Sequence, residues 1–262
     1  RILKEAYYIA STGRPGPVLV DIPRDIQLEE IPYDEFKKLY EQEFELEGYN
    51  PVYEGHKGQI KTAIKMIKDS KKPLIIAGAG ILKGHAYDEL KEFVDKTNIP
   101  VAMTLLGLGS FPGNHELALG MIGMHGTTYA NYAANEADLV IAAGMRFDDR
   151  VTGNPQKFLP NAKIIHIDID PAEIGKNKLI DVPIVGDVKN VLAELNRKIP
   201  KLSHTKWLDE VAKLKKKYSL TFRKTEEDIL IPQEILFEIN KLTKGEVIVA
   251  TDVGQHQMWS AQ

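Results

Sequence analysis

The densest chemistry in the sequence lies in Gly144-Met145-Arg146-Phe147-Asp148-Asp149-Arg150-Val151-Thr152-Gly153. Charges packed this closely are costly to enclose unless each has a partner. Such a loop either faces water along its length or serves a ligand that needs both signs of charge. It follows Asp138-Leu139-Val140-Ile141-Ala142-Ala143, an apolar run of strand length and composition, so the charges fall where a buried strand leaves its sheet. In an open parallel sheet, loops at the carboxyl ends of the strands converge on a crevice where ligands bind.

Other segments carry related chemistry. Gly78-Ala79-Gly80 after an apolar run, with Gly84 further on, is a candidate phosphate loop, because small residues let backbone N–H groups approach an anion. A dinucleotide fingerprint would place an acid about 20 positions later to hold a ribose hydroxyl. Thr104-Leu105-Leu106 stands there instead, which argues against an ordinary NAD site and leaves a flavin nucleotide open. Gly120-Met121-Ile122-Gly123-Met124-His125-Gly126, Asp168-Ile169-Asp170 and Gly186-Asp187-Val188 are further strand-end loops of small or hydrogen-bonding residues. Together they offer arginines and backbone donors for phosphates, carboxylates for ribose or adenine, and methionines or leucines for rings. Taken singly, Met121, Met124 and Met145 also suit a core, and His125 a structural place in its loop. The seven histidines have no metal-ligand spacing and no nucleophile elbow appears, so neither a catalytic group nor a metal ligand is assigned.

These loops need elements to hold them, and the hydrophobic pattern supplies an alternation. Residues 1–11 read as a helix, Gly13-Arg14-Pro15-Gly16-Pro17 as a turn, and Val18-Leu19-Val20-Asp21-Ile22 as a buried strand. From Gln27 to about His56 the period dissolves around Pro32, Pro51 and the acidic run 41–47, as in a surface linker. Helices marked by Ile60, Ala63, Ile64 and Ile67, by Tyr87, Leu90, Phe93 and Val94, by residues 127–136, and by Val191, Leu192 and Leu195 then alternate with strands. The strands fall at 74–77, 99–104, 138–143, 162–169 and 184–186. Such alternation implies an α/β fold, a doubly wound and mainly parallel sheet with helices on both faces. Asp170-Pro171-Ala172-Glu173 has the signature of a short helix start. After Pro200, Trp207, Leu208, Val211 and Leu214 form a helical stripe opposite a solvated face of Lys213, Lys215 and Lys216. Pro232-Gln233-Glu234 opens a helix, and residues 245–252 read as a strand leading into Val253-Gly254-Gln255-His256-Gln257.

Composition narrows the class. With 262 residues, 43% hydrophobic and 27% charged, the chain can bury a core. A net charge of −3 without a basic block disfavours nucleic acid. No apolar run reaches membrane-spanning length and no cysteine is present, which points to the reducing cytoplasm. Arg1 falls inside a helical pattern and Gln262 follows an apolar and aromatic run, so the chain reads as a piece of a longer protein.

Gly13 to Pro23, Met121 to Gly126, Arg146 to Gly153, Asp168 to Asn177 and Val253 to Trp259 resemble, in order, segments of the catalytic large subunit of acetolactate synthases, also called acetohydroxyacid synthases. The resemblance implies three α/β domains in the parent protein. Thiamine diphosphate and magnesium would lie between the first and third, and FAD on the middle one. On that likeness residues 1–27 end the pyrimidine-binding domain, 28–57 form a linker, 58–200 the FAD-binding domain, 201–231 a linker helix, and 232–262 open the diphosphate-binding domain. The FAD contacts would be Arg14, Gly78, Ala79, Gly80, Thr104, Leu105, Ile122, Gly123, Met124, His125, Gly144, Met145, Arg146, Phe147, Asp148, Arg150, Val151, Asp168, Ile169, Asp187 and Val188. Val253, Gly254, Gln255 and His256 match the segment at the diphosphate end of thiamine diphosphate. The implied reaction condenses two pyruvates, or pyruvate and 2-oxobutyrate, with release of carbon dioxide, in branched-chain amino-acid synthesis. A homodimer or tetramer and a small regulatory subunit are implied for the full-length enzyme. The activating glutamate and the magnesium-binding Gly-Asp-Gly…Asn segment of that family are not in these 262 residues, so the piece alone is expected to be inactive. Gly78-Ala79-Gly80 also stands where relatives commonly carry three glycines. The competing readings are another thiamine-diphosphate enzyme, such as pyruvate oxidase or glyoxylate carboligase, and a nucleotide-binding module without catalysis.

Overall fold

The computed structural model describes residues 1–42, 45–222 and 229–262. Positions 43 and 44 of the acidic run and 223–228 of the expected linker helix lie outside them. Two compact units are present, Arg1–Tyr53 and Glu54–Gln262.

In the first unit, α1 (Ile2–Ser11) forms as the apolar spacing requires. It ends at Thr12, after which Gly13 takes φ +60° and starts the expected turn. Tyr49 closes on this turn, its ring edge-on to Tyr8 at 5.7 Å and its hydroxyl donating to the Thr12 carbonyl at 3.1 Å. Two expectations are corrected. Residues 18–22 form no strand, since no ladder partner reaches them among the described residues and Leu19 is 93% exposed. The stretch read as a patternless linker contains α2 (Arg24–Leu28) and α3 (Tyr33–Glu41), each started by a proline at the N-cap.

The second unit is built on β1 (Pro73–Ala77), β2 (Val101–Met103), β3 (Ala118–Met121), β4 (Leu139–Ala143), β5 (Lys163–Asp168) and β6 (Val182–Val185). They form one sheet in the order β3-β2-β1-β4-β5-β6, with every neighbouring pair parallel. All six carboxyl ends therefore share one edge. The order reverses direction between β1 and β4, whose register runs from Pro73 opposite Leu139 to Ala77 opposite Ala143. That crevice is where nucleotide-binding sheets of this topology hold ligands.

Alternate residues of each strand face opposite sides, which explains the near-continuous apolar runs. Ile75, Ala77, Ile141, Ala143, Ile165 and Ile167 pack with buried residues of α4 (Lys57–Asp69), α6 (Tyr87–Thr97) and α9 (Val188–Lys198). Leu74, Ile76, Val140, Ala142 and Ile164 pack with α7 (Thr128–Glu136) and with Trp207 and Val211 of α10 (Thr205–Lys217). The short α5 (Ala79–Lys83) follows β1, and α8 (Asp149–Thr152) follows β4. Helices thus cover both faces, as expected.

The differences have local causes. β3 was not expected: Gly120 interrupts the apolar residues Leu117-Ala118-Leu119 and Met121-Ile122, adopts φ +68° inside the strand, and the ladder with β2 shifts register there. Asp170–Ile174 is a pair of turns closed by Glu173 N–H to Asp170 O and Ile174 N–H to Pro171 O, not a helix. Gly175, at φ +74°, ends it within one turn. Lys215 is not on a solvated face, since its ammonium donates to the carbonyls of Glu116 and Ala118 at 3.0 and 3.1 Å. Burial lowers its pKa. α11 (Pro232–Thr243) forms with proline in its first turn. Residues 245–252 have no ladder among the described residues, and Ile248 is 97% exposed; the segment runs into α12 (Gln255–Ala261). No described helix is long and apolar enough to cross a membrane.

Candidate functional site

At the centre of the carboxyl edge, β1 and β4 come together through glycine. Gly78 N–H donates to Ala143 O at 2.9 Å and Gly80 N–H to Gly144 O at 2.8 Å. A Cβ on Gly78 would lie 2.3 Å from Gly144 O, and one on Gly80 2.5 Å from Gly144 Cα. Backbone-to-backbone packing at the reversal point therefore requires both glycines, whatever they do for an anion. Ala79, between them, opens α5 and tolerates its methyl, which accounts for alanine at this place.

One side of the crevice is apolar. Thr104 is buried and its N–H donates to Ala77 O, while Leu105 and Leu106 on the following single-turn helix are 43% and 71% exposed. After β3, Ile122 is buried and Met124 is 56% exposed, next to the exposed His125. Gly123, at φ +110°, is clamped by Asn131, which accepts its N–H at 3.1 Å and donates to its carbonyl at 2.9 Å. Large apolar side chains exposed beside a sheet's ligand edge are a recognisable surface for a ring system.

The other side is charged. Met145 and Phe147 are buried, whereas Arg146 and Asp148 between and after them are half exposed and pair at 3.6 Å. Asp148 also caps α8, accepting the buried Val151 N–H at 3.3 Å. Arg150 pairs with Asp149 at 3.5 Å in the open. After β5, the Asp168 carboxylate accepts Asp170 N–H at 2.9 Å, and Ile169 is half buried. After β6, Asp187 caps α9 by accepting the N–H groups of Lys189 at 2.9 Å and Asn190 at 3.3 Å, with Val188 buried behind it. The two sides are tied across the loops by Met124 N–H to Arg150 O at 3.0 Å.

The sheet thus gathers all the expected residues from Gly78 to Val188 along one edge. Six strand ends at a spacing of about 4.8 Å give a rim roughly 24 Å long. Arg14 lies exposed in the turn of the first unit. Val253 and Gly254 precede α12 and Gln255 and His256 begin it, and the last residue of the chain, Gln262, donates from its side chain to His125 O at 2.9 Å. A cavity of about 270 Å³ opens behind the β3 loop, where Gly123, Met124 and Val151 meet Asn131, Lys157 and Phe158.

One participant was missed. His166 on β5 is fully buried, its Nε2 is 2.9 Å from Met145 O, and its ring lies edge-on to Phe147 at 5.1 Å. A carbonyl only accepts, so Nε2 carries the proton. Burial is the largest influence on this imidazole and pushes its pKa below 6.5, against the opposing pull of the Met145 bond, Asp168 and Glu173. A histidine interrupting an otherwise apolar strand was the available signal.

The fold is a doubly wound α/β domain with the topology that nucleotide-binding sheets share. The model of the family described as thiamine pyrophosphate enzyme, central domain, matches residues 60–195, more than half of the chain, and the chain belongs to that family. Among curated proteins it is similar to the acetolactate synthase large subunits of Buchnera aphidicola subsp. Schizaphis graminum and Haemophilus influenzae. It is 45% identical to the first over 264 residues and 47% identical to the second over 266, covering 99% of this chain and 46% of each relative. The chloroplastic acetolactate synthase of Arabidopsis thaliana is 47% identical over 274 residues, 100% of this chain and 39% of the relative. The chain spans a little under half the length of these relatives.

Proposed function

We propose that this chain is the flavin-nucleotide-binding middle portion of an acetolactate synthase catalytic subunit. The observation that carries the reading is the division of the rim. Exposed leucines and a methionine lie on the β2–β3 side, and an arginine with several aspartates on the β4–β6 side. FAD has the same division, with an apolar ring at one end and phosphates, ribose and adenine towards the other. The donor set therefore fits the group. Leu105 and Met124 would flank the ring, Arg146 would face phosphate, and Asp168 and Asp187 would lie towards ribose and adenine. The names and identities of the relatives support the same assignment.

On this reading residues 1–27 belong to a pyrimidine-binding domain, 28–57 and 201–231 are linkers, 58–200 hold FAD, and 232–262 open a diphosphate-binding domain. The whole protein would condense two pyruvates, or pyruvate and 2-oxobutyrate, as a cytoplasmic dimer or tetramer with a possible small regulatory subunit. Thiamine diphosphate supplies the carbanion chemistry when bound, with magnesium on its diphosphate; FAD is a structural group beside the substrate path. This chain's own part is to bind and orient.

The test is acetolactate formation from pyruvate by the longer protein with thiamine diphosphate, magnesium and FAD, and none by residues 1–262 alone. A longer protein that makes no acetolactate, or bound flavin bleached by pyruvate at the turnover rate, would overturn the assignment, the second outcome in favour of an oxidase.

A further inference from the structure

Beyond β4 the chain turns at Gly144, at φ +59°, and the alternation resumes in the opposite phase, so that Met145 and Phe147 join the cluster of Val140 and Ala142. Met145 and Phe147 turn inward and Arg146 and Asp148 outward. Outside the β4 ladder, two side chains take over the role of a neighbouring strand. His166 Nε2 donates to Met145 O at 2.9 Å, and Asn177 Nδ2 donates to Phe147 O at 2.8 Å. The charged residues that face the rim are therefore presented on a segment fastened from beneath at alternate carbonyls.

We propose that His166 is a positioning residue for the nucleotide site, holding Arg146 and Asp148 in place through its bond to Met145 O, with Asn177 as the second fastening. This inference rests on the flavin reading above and names residues outside its contact set. His166 is a poor choice for packing alone. It occupies a fully buried position between Ile165 and Ile167 on β5, in register with Ala142 and Pro183. Its Nδ1 is buried without a hydrogen-bond partner among the described residues, a cost that a leucine at the same place would avoid. The ring is placed for the one proton on Nε2, and that proton is aimed at the loop. Binding sites gain affinity when the contacting groups are fixed beforehand, because less order has to be created on association.

The experiment uses the full-length protein, stripped of flavin, with FAD dissociation constants from flavin fluorescence and folding followed separately by thermal melting. His166→Leu fills the space without a donor and is expected to bind FAD about tenfold more weakly. His166→Gln, whose amide nitrogen lies near the Nε2 position, is expected to recover most of that loss. Trypsin should cut at Arg146 faster in flavin-free His166→Leu than in the parent or in His166→Gln. Asn177→Ala, more exposed and easier to fold, should give a smaller loss of affinity and remains informative if His166→Leu fails to fold. Parent-like affinity and cleavage in His166→Leu would overturn the proposal, as would a His166→Gln protein that folds but binds as weakly as the leucine variant. A parent that binds no FAD would sink the flavin reading and this inference together. A parent that binds, beside an unaffected His166→Leu, would sink this inference alone.

Discussion

The two edges of the sheet use charge differently. At the amino edge, charges close the protein on itself. The Asp138 carboxylate, just before β4, accepts the N–H groups of Lys71 and Lys72 at 2.7 and 3.0 Å, just before β1. Asp181, just before β6, accepts Ile164 N–H of β5 at 2.8 Å. Lys72 reaches Glu210 of α10 at 2.6 Å and Glu136 of α7 at 3.7 Å. Its bond to Glu210 is the main cause of its raised pKa. At the carboxyl edge some aspartates also cap, but the arginine pairs, Arg146–Asp148 at 3.6 Å and Arg150–Asp149 at 3.5 Å, each lie within a single loop and are half exposed or more. Exposed pairs of this kind contribute little to folding. The comparison separates charges that hold the sheet together from charges available to something else.

The sharpest test of the stabilising edge is Asp138→Ala. Two backbone donors lose a charged acceptor at the point where β1 and β4 begin, so the chain should lose about 2–3 kcal/mol of unfolding free energy, read from urea titration. FAD affinity should stay as in the parent, because the lesion lies at the far end of the strands. A normal urea midpoint, or a selective loss of flavin, would break the division between edges.

Asp187 belongs to both categories and should give a smaller, divided effect. As the α9 cap it holds two N–H groups, so Asp187→Ala should cost about 1 kcal/mol. Asp187→Asn keeps a capping oxygen and should restore most of that stability while still lowering FAD affinity, since the charge is gone. Full recovery of both properties in the asparagine variant would assign Asp187 to the cap alone.

How much of this could be read in the sequence depended on whether the needed information was local. The helices with apolar faces, five of the six strands and the loops bearing Arg146, Asp148, Asp168 and Asp187 were legible, because burial on both faces leaves uninterrupted apolar runs and the turns begin where the runs stop. β3 was not read as a strand, since Gly120 splits its apolar residues 117–122 and gives the stretch the look of a glycine-rich loop. Residues 18–22 and 245–252 show the reverse error. Their composition is that of strands, but a strand exists only with a partner, and Leu19 and Ile248 are almost fully exposed among the described residues. The glycines at 78 and 80 were visible, but the reason for them was not: the requirement comes from Gly144, more than 60 residues away. His166 was hidden by its setting, because an isolated histidine in an apolar strand shows its partner only when the loop leaving the neighbouring strand β4 is placed beside it.

The smallest expected effect on folding falls on the residue most exposed to the rim by its chemistry. Arg146→Ala removes a guanidinium whose ion pair among the described residues is 3.6 Å long, to a half-exposed aspartate. The carbonyls on either side of it, Met145 O and Phe147 O, keep their bonds to His166 and Asn177, because neither involves the arginine side chain. The urea midpoint should therefore move by no more than about 0.5 kcal/mol. FAD affinity should fall, and its dependence on salt should weaken, since screening acts on the charge that has been removed. Arg150→Ala is the matched control: it also removes an exposed arginine from the same loop, but one paired with Asp149 at the open start of α8. A larger loss of flavin in Arg146→Ala than in Arg150→Ala would place the phosphate on the face that the buried histidine supports. Equal losses would show that the loop attracts the nucleotide by charge alone, without the fixed presentation that the alternation of Met145 and Phe147 provides.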